Sequence, residues 1–179
     1  MNRSDLDGIE ARARAAVATL SPAAIANARW SGLGGHEPVA IEVIEVFGFD
    51  DGGILAILAA TTVEGDREAL HLTLPLTDAP PWLGLHGLVA DGGSVIGARG
   101  GRLAGRPGIH AGTGNLADGS GGPGRALRES PGDQSHTSVI VGEQSILKLY
   151  RRLTPGANPE AEVLEALADV TDAPVPAWR

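Results

Sequence analysis

The sequence predicts an α+β fold: N-terminal helices packed on a curved antiparallel β-sheet, a glycine-rich linker, and a closing strand–turn–strand–helix unit. Three observations carry that expectation. In the first twenty residues Ile9, Ala13, Val17 and Leu20 recur at three- and four-residue spacing, the period of a helix face. From Val39 to Leu76, aliphatic and β-branched runs are broken by Asp/Gly turn signals, the pattern of an antiparallel meander. Between Asp91 and Gly132 stand 14 of the 26 glycines, which is linker composition.

Composition bounds the possibilities further. The 179 residues carry 14 Lys+Arg against 22 Asp+Glu, a formal charge of −8, with 42% hydrophobic residues. That suffices to bury a core in one or two small domains. Only two Phe, three Trp and one Tyr occur, so the core is expected to be aliphatic. The absence of cysteine excludes disulfides, thiolate metal sites and a Cys nucleophile. The acidic balance argues against nucleic acid as a partner. No apolar run approaches the roughly 20 residues of a membrane span, and no signal-peptide apolar region opens the chain. A soluble, cytoplasmic protein is expected.

Each element follows from local chemistry. Ser4 and Asp5 cap a first helix reaching about Leu20. Ser21-Pro22 starts a short second one, because Ser is a favoured cap and Pro is tolerated at the first helical position; it runs into Arg29-Trp30 before the glycines of SGLGG. Residues 39–49 form a strand whose inner face reads Val39, Ile41 and Val43, then changes phase to Ile44 and Val46, as one bulged residue would cause. Asp50 to Gly53 turn. Residues 54–63 are almost wholly apolar or Thr, so this strand is buried on both faces. Glu64-Gly65-Asp66 turns into a third strand with Leu70, Leu72, Leu74 and Leu76 alternating against polar residues. After the linker, Thr137–Val141 and Ser145–Leu149 are strands, and Asn158-Pro159-Glu160 opens a helix carrying Val163, Leu164, Leu167 and Val170 and ending near Asp169.

Lys148 is the only lysine, against thirteen arginines, and stands between Leu147 and Leu149 in an otherwise apolar strand. A compact ammonium on a flexible stem suits a phosphate oxygen. An edge-strand lysine that snorkels into solvent explains the same residue without a ligand. Upstream, Asp133, Gln134, Ser135, His136, Thr137 and Ser138 form a polar turn whose hydroxyls and N–H groups could contact phosphates. Downstream, Glu160, Glu162 and Glu165 lie near a helix start, where the helix dipole alone accounts for them.

The stretch DQSHTSVIVGEQSILKLYRRLTPGANPEAEVLEAL resembles the start of the kinase-like N-lobe of actinobacterial maltokinases and related glucosamine kinases, within the aminoglycoside-phosphotransferase-like sugar kinases. The resemblance implies that Gln134, Ser135, His136, Thr137 and Ser138 take the place of a phosphate-covering loop. It also implies that Lys148 holds ATP phosphates and that Glu162 pairs with Lys148, the logic shared by protein kinases. Arg29-Trp30 occupies the place of an Arg-Trp pair that ends the first helices of the family's N-terminal cap, although Ser31-Gly32 replaces the usual aromatic. The implied plan is a cap-like domain at 1–105, a Gly/Arg-rich flexible linker at 106–132, and the incomplete start of a kinase-like N-lobe at 133–179.

The implied activity is ATP- and Mg²⁺-dependent phosphoryl transfer to a sugar hydroxyl, giving maltose 1-phosphate or glucosamine 6-phosphate. The catalytic aspartate and the Mg²⁺ ligands would lie in a C-lobe beyond Arg179, so no catalytic or metal-ligating residue is assigned here. The alternative is a free-standing, non-catalytic cap that docks on an enzyme of trehalose or glycogen metabolism.

Other motifs carry less. The five histidines show no pair at metal-ligand spacing. The run GARGGRLAG at Gly97–Gly105 fits neither the Walker A pattern nor a strand-bounded dinucleotide fingerprint. Arg99, Arg102, Arg106, Arg125 and Arg128 form a basic stretch without interleaved aromatics. Trp30 and Trp82 are expected as packing anchors rather than sugar platforms.

Overall fold

The computed structural model describes residues 3–50, 53–75, 82–105, 127–129, 136–141 and 145–168. Helix α1 (Arg3–Ala18) turns Ile9, Ala13 and Val17 inward, as the spacing predicts. Ser4 and Asp5 lie inside its first turn instead of preceding it. Helix α2 (Pro22–Asn27) starts as expected: the Ser21 hydroxyl accepts from the Ala24 N–H at 3.3 Å, and Pro22 occupies the first turn. It stops at Asn27, before Arg29-Trp30.

Strands β1 (Ala40–Gly48), β2 (Gly53–Thr61) and β3 (Arg67–Pro75) form the antiparallel meander. The register of β1 on β2 shifts between Val43 and Glu45, so the bulge is real. The bulged residue itself turns outward, however. Ile44 is 39% exposed and Val39 64% exposed, while Ile41, Val43 and Val46 face α1 and α2. An extra residue leaves the ladder at a bulge, so its side chain follows neither face. Strand β2 is buried on both sides. Ile54, Ala56, Leu58 and Ala60 join the helical core, and Leu55 with the half-buried Ile57 joins a second core. Leu70 is buried as expected; Leu76 lies outside the described residues, as do the side chains of Leu72 and Leu74.

Glycine frequency hides structure in the segment that follows. Helix α3 (Trp82–Asp91) is not signalled by the sequence, because Gly84 and Gly87 weaken its helix propensity. Gly84 is required by packing: a Cβ there would stand 2.6 Å from the Phe49 side chain. Next comes a hairpin of β4 (Ser94–Ile96) and β5 (Arg102–Ala104). Its loop wraps the carboxylate of Glu45, which is only 7% exposed. Glu45 accepts from the N–H groups of Val46 (2.9 Å), Arg99 (2.8 Å) and Gly101 (2.5 Å). A Cβ at Gly97 or at Gly101 would lie 2.5 Å from that carboxylate group. The glycines of GARGG therefore serve an anion supplied by the chain itself.

Strand β6 (Leu127–Glu129) lies inside the stretch read as a linker at 106–132, and β7 (His136–Val141) and β8 (Ser145–Tyr150) complete a three-stranded sheet in the order β6-β7-β8. The other linker residues from 106 to 126 lie outside the described residues. Strand β9 (Arg152–Leu153) then pairs antiparallel with β3, extending the first sheet to β1-β2-β3-β9. Helix α4 (Pro159–Ala168) follows, opening at Asn158 as expected, though Val163 is 56% exposed.

These pairings join the two units that the expected boundaries at 105 and 133 separate. Phe47, Phe49 and Leu55 from the first sheet share a core with Trp82 and Leu85 of α3 and with Val139, Val141 and Leu149 of β7 and β8. Half of the six aromatics gather here, so this second core is less purely aliphatic than composition suggests. Trp82 is a packing anchor as expected, and its indole N–H donates to Glu129 at 2.9 Å. Arg152 forks onto Glu68 with two bonds of 2.8 Å, and the Arg151 guanidinium sits 5.3 Å over the half-buried Trp30 ring. Each of those surface contacts contributes on the order of 0.5–1 kcal/mol, against about 1.5–3 kcal/mol for each fully buried aliphatic side chain. Packing therefore dominates the joint. Among the described residues no helix is long and apolar enough to cross a membrane.

A shared core has a measurable consequence. Leu149→Ala should cost about 2–4 kcal/mol in urea unfolding, and it should speed amide exchange at Leu55 as well as within β7. Exchange faster in β7 alone would show two independent units.

Candidate functional site

Strand periodicity builds the site. In β7 and β8 alternate residues point to opposite faces, and Val139, Val141, Leu147 and Leu149 turn toward the second core. The other face must then carry His136, Ser138, Ile146, Lys148 and Tyr150. Pairing sets Ser138 opposite Lys148 and His136 opposite Tyr150. The His136 and Tyr150 rings meet with centroids 5.5 Å apart at 42°.

Helix α4 delivers a carboxylate to that face. The Asn158 Oδ1 accepts from the N–H groups of Glu160 (2.9 Å) and Ala161 (3.4 Å), a side-chain cap that sets the direction of the first turn. Glu160 then receives the Lys148 ammonium on Oε1 and the Tyr150 hydroxyl on Oε2. Lys148 and Glu160 are each a little over one-third exposed, so water screens their attraction.

These neighbours set the local ionisation. The bond from Lys148, followed by that from Tyr150, holds the Glu160 carboxyl below its ordinary range against the opposing effect of burial. Burial pushes the Tyr150 phenol up, and the Glu160 carboxylate pushes it further.

Lys148 stands on this face, in the strand expected to carry it. Its carboxylate partner is Glu160, not Glu162, which is exposed. Two residues along a helix are a rotation of about 200°, so only one of the two can face the sheet, and in the docked helix that one is Glu160. Strand β7 begins at His136, one residue before the expected Thr137–Val141 strand, so His136, Thr137 and Ser138 all lie in the strand and none in the polar turn before it. Thr137 points to the face opposite Lys148, where its hydroxyl accepts from the Arg151 guanidinium at 2.9 and 3.0 Å. Gln134 and Ser135 lie outside the described residues.

Sequence reasoning assigned Tyr150 no role. The signal is visible in retrospect: Ile146, Lys148 and Tyr150 share one parity, and Tyr150 is the only tyrosine.

The Lys148 ammonium and the Glu160 carboxylate balance each other's charge. One of the three ammonium donors is taken by Glu160, which leaves two that can point at a ligand, with the Ser138 hydroxyl on the neighbouring strand. Among the described residues no group of three or more His, Cys, Asp or Glu side chains could hold a metal ion. No protein-family model matches the chain.

Because Tyr150 is unique, its ionisation can be followed by near-ultraviolet absorbance without interference from a second phenol. Its midpoint should lie above the ordinary value of about 10. Glu160→Gln should lower it part of the way, since burial remains the larger cause. An unmoved midpoint, or one already ordinary in the unaltered chain, would contradict the Glu160 contact. For stability the sign runs the other way in pH. Glu160 is depressed in the folded chain, so its contribution is complete above the unfolded carboxyl range and disappears as pH falls through the folded value.

Proposed function

We propose that this chain is the N-terminal region of an ATP- and Mg²⁺-dependent sugar kinase of the maltokinase and glucosamine kinase type. In this reading its last strands hold the ATP phosphates and its first hundred residues form the cap. The observation that carries the proposal is the pairing of a solitary lysine, on the third strand of an antiparallel meander, with a glutamate of the next helix. Protein kinases use the same order of parts: two strands joined by a phosphate-covering loop, a third strand with the lysine, then a helix with its partner glutamate. Strand β6, hidden in the glycine-rich stretch, supplies the first strand of that order.

Surface character adds support. Ile146, two residues from Lys148 on the same face, is 63% exposed, and Val163 lies one helical turn from Glu160. Apolar side chains flanking an ion pair suit a nucleotide base and a further lobe packed over the phosphates. In this reading Lys148 neutralises developing phosphate charge, Glu160 positions Lys148, and Ser138 offers a hydroxyl beside it. ATP supplies the phosphoryl group, and Mg²⁺ would be held by residues outside this chain.

One observation favours the second reading, a non-catalytic module that docks on an enzyme of trehalose or glycogen metabolism. The two halves share a core and a sheet, as a self-sufficient binding unit would.

The native protein, isolated from its source cells with antibody against this chain, separates the readings. A mass well above 18.3 kDa, with ATP-dependent phosphorylation of maltose or glucosamine, is expected. Lys148→Ala should reduce turnover at least about a hundredfold, the scale of losing one charged transition-state contact, with the native fold retained by circular dichroism. Glu160→Gln should reduce it more than Glu162→Gln. Absence of sugar phosphorylation by the native protein, or undiminished turnover in Lys148→Ala, would overturn the kinase reading.

A further inference from the structure

We propose that the groove along helix α3 is a binding site for a linear diamine, a short alkyl chain with an ammonium group at each end. Gly84, Gly87, Leu88 and Asp91 line one side of a cavity of about 720 Å³, within the size range of small-molecule sites. Their spacing is i, i+3, i+4 and i+7, so they form one face of α3 and the cavity runs along the helix. Leu6 of α1, Phe49 after β1, and Val95 and Ile96 of β4 complete its apolar walls.

Glycine opens this face. Gly84 is accounted for by the Phe49 side chain packed against it, but a Cβ at Gly87 would meet nothing within 4 Å. A glycine inside a helix weakens that helix, and at position 87 no packing contact requires one. Its effect is to leave room, because any larger side chain at this position would enter the groove that Gly87 lines.

Charge and length select the occupant. Among the described residues, Asp50 and Asp91 are the only ionisable groups lining the groove, and neither is engaged in an ion pair there. Just outside the lining, Asp5 and Asp7 beside Leu6 are offset by Arg3 of the same helix and by Arg102, opposite Ile96 across the hairpin. Two acids against two bases leave the negative sign of the lining unchanged, which favours cations. The last turn of α3 holds no basic residue, so the negative end of the helix dipole adds to Asp91. The two carboxylates mark opposite ends of the groove. Phe49 packs on Gly84 and so sets Asp50 beside it, while Asp91 follows seven residues later, about 10 Å along the helix axis. With a charge-assisted bond of about 2.8 Å at each end, about 5 Å remains between two ammonium nitrogens, the span of a three- or four-carbon chain. A single divalent ion cannot bridge carboxylates so far apart, whereas the methylenes of a diamine lie against the apolar walls.

The test titrates putrescine, the four-carbon diamine, into the whole isotope-labelled chain and follows the backbone amides by NMR. Saturable shifts centred on Asp50 and on α3 from Gly84 to Asp91 are expected. Butylamine, which has one ammonium, and magnesium chloride, a dication without an alkyl chain, should each bind at least about tenfold more weakly. Asp50→Asn and Asp91→Asn should each weaken putrescine to a similar degree. Gly87→Leu should abolish the saturable shifts with the fold retained by circular dichroism, since the position has open space and leucine suits a helix better than glycine. Shifts that never saturate or spread over the acidic surface, equal binding of butylamine or magnesium, or undiminished binding in Gly87→Leu would each overturn the proposal. The readout involves no turnover and no residue of β7, β8 or α4, so its outcome is independent of the kinase reading.

Discussion

The face that carries Lys148 exists because the opposite face of the same two strands is buried. Val139, Val141 and Leu149 lose nearly all contact with water against the sheet that holds Phe47 and Leu55. Because side chains alternate with a period of two, that burial compels Ser138, Lys148 and Tyr150 outward. A register slip of one residue would drive an ammonium into an aliphatic core, at a cost far above any ion pair on the surface. The pairing of β7 with β8 is thus the constraint from which the site geometry follows. The Glu160 contact refines an orientation that packing has already imposed.

Strand β2 plays the matching role for the whole chain. Buried on both faces, it is a common wall between the core under α1 and α2 and the core under α3, β7 and β8. Arg151 and Arg152 sit where the chain leaves the Lys148 strand and returns to the first sheet. One reaches Trp30 and Thr137 and the other reaches Glu68, so the residues directly after the site strand tie it to the N-terminal half.

The glycine-rich hairpin shows how one composition can signal opposite structures. Glycine clusters mark loops that close on anions as well as chains that stay extended in water. Here the anion is Glu45, placed by the bulge at Ile44 that shifts strand phase by one residue. Without that shift, the residue facing the loop would be apolar Ile44. The bulge therefore both buries a charge with its backbone partners and leaves half of β1 as an open edge.

The sequence by itself determined the meander, the bulge, the two-sided burial of β2, the Ser21 and Asn158 helix starts and the solitary lysine. Each depends on local periodicity or on a cap within a few residues, and such interactions can be read along the chain. Tertiary structure decided what depends on contacts distant in sequence: the helix at Trp82–Asp91 despite its glycines, the hairpin around Glu45, and β6 and β9 as short strands that form because a partner strand is already in place. It also decided that Glu160 and not Glu162 meets Lys148, because the two lie on opposite sides of one helix and only the docking of that helix selects between them.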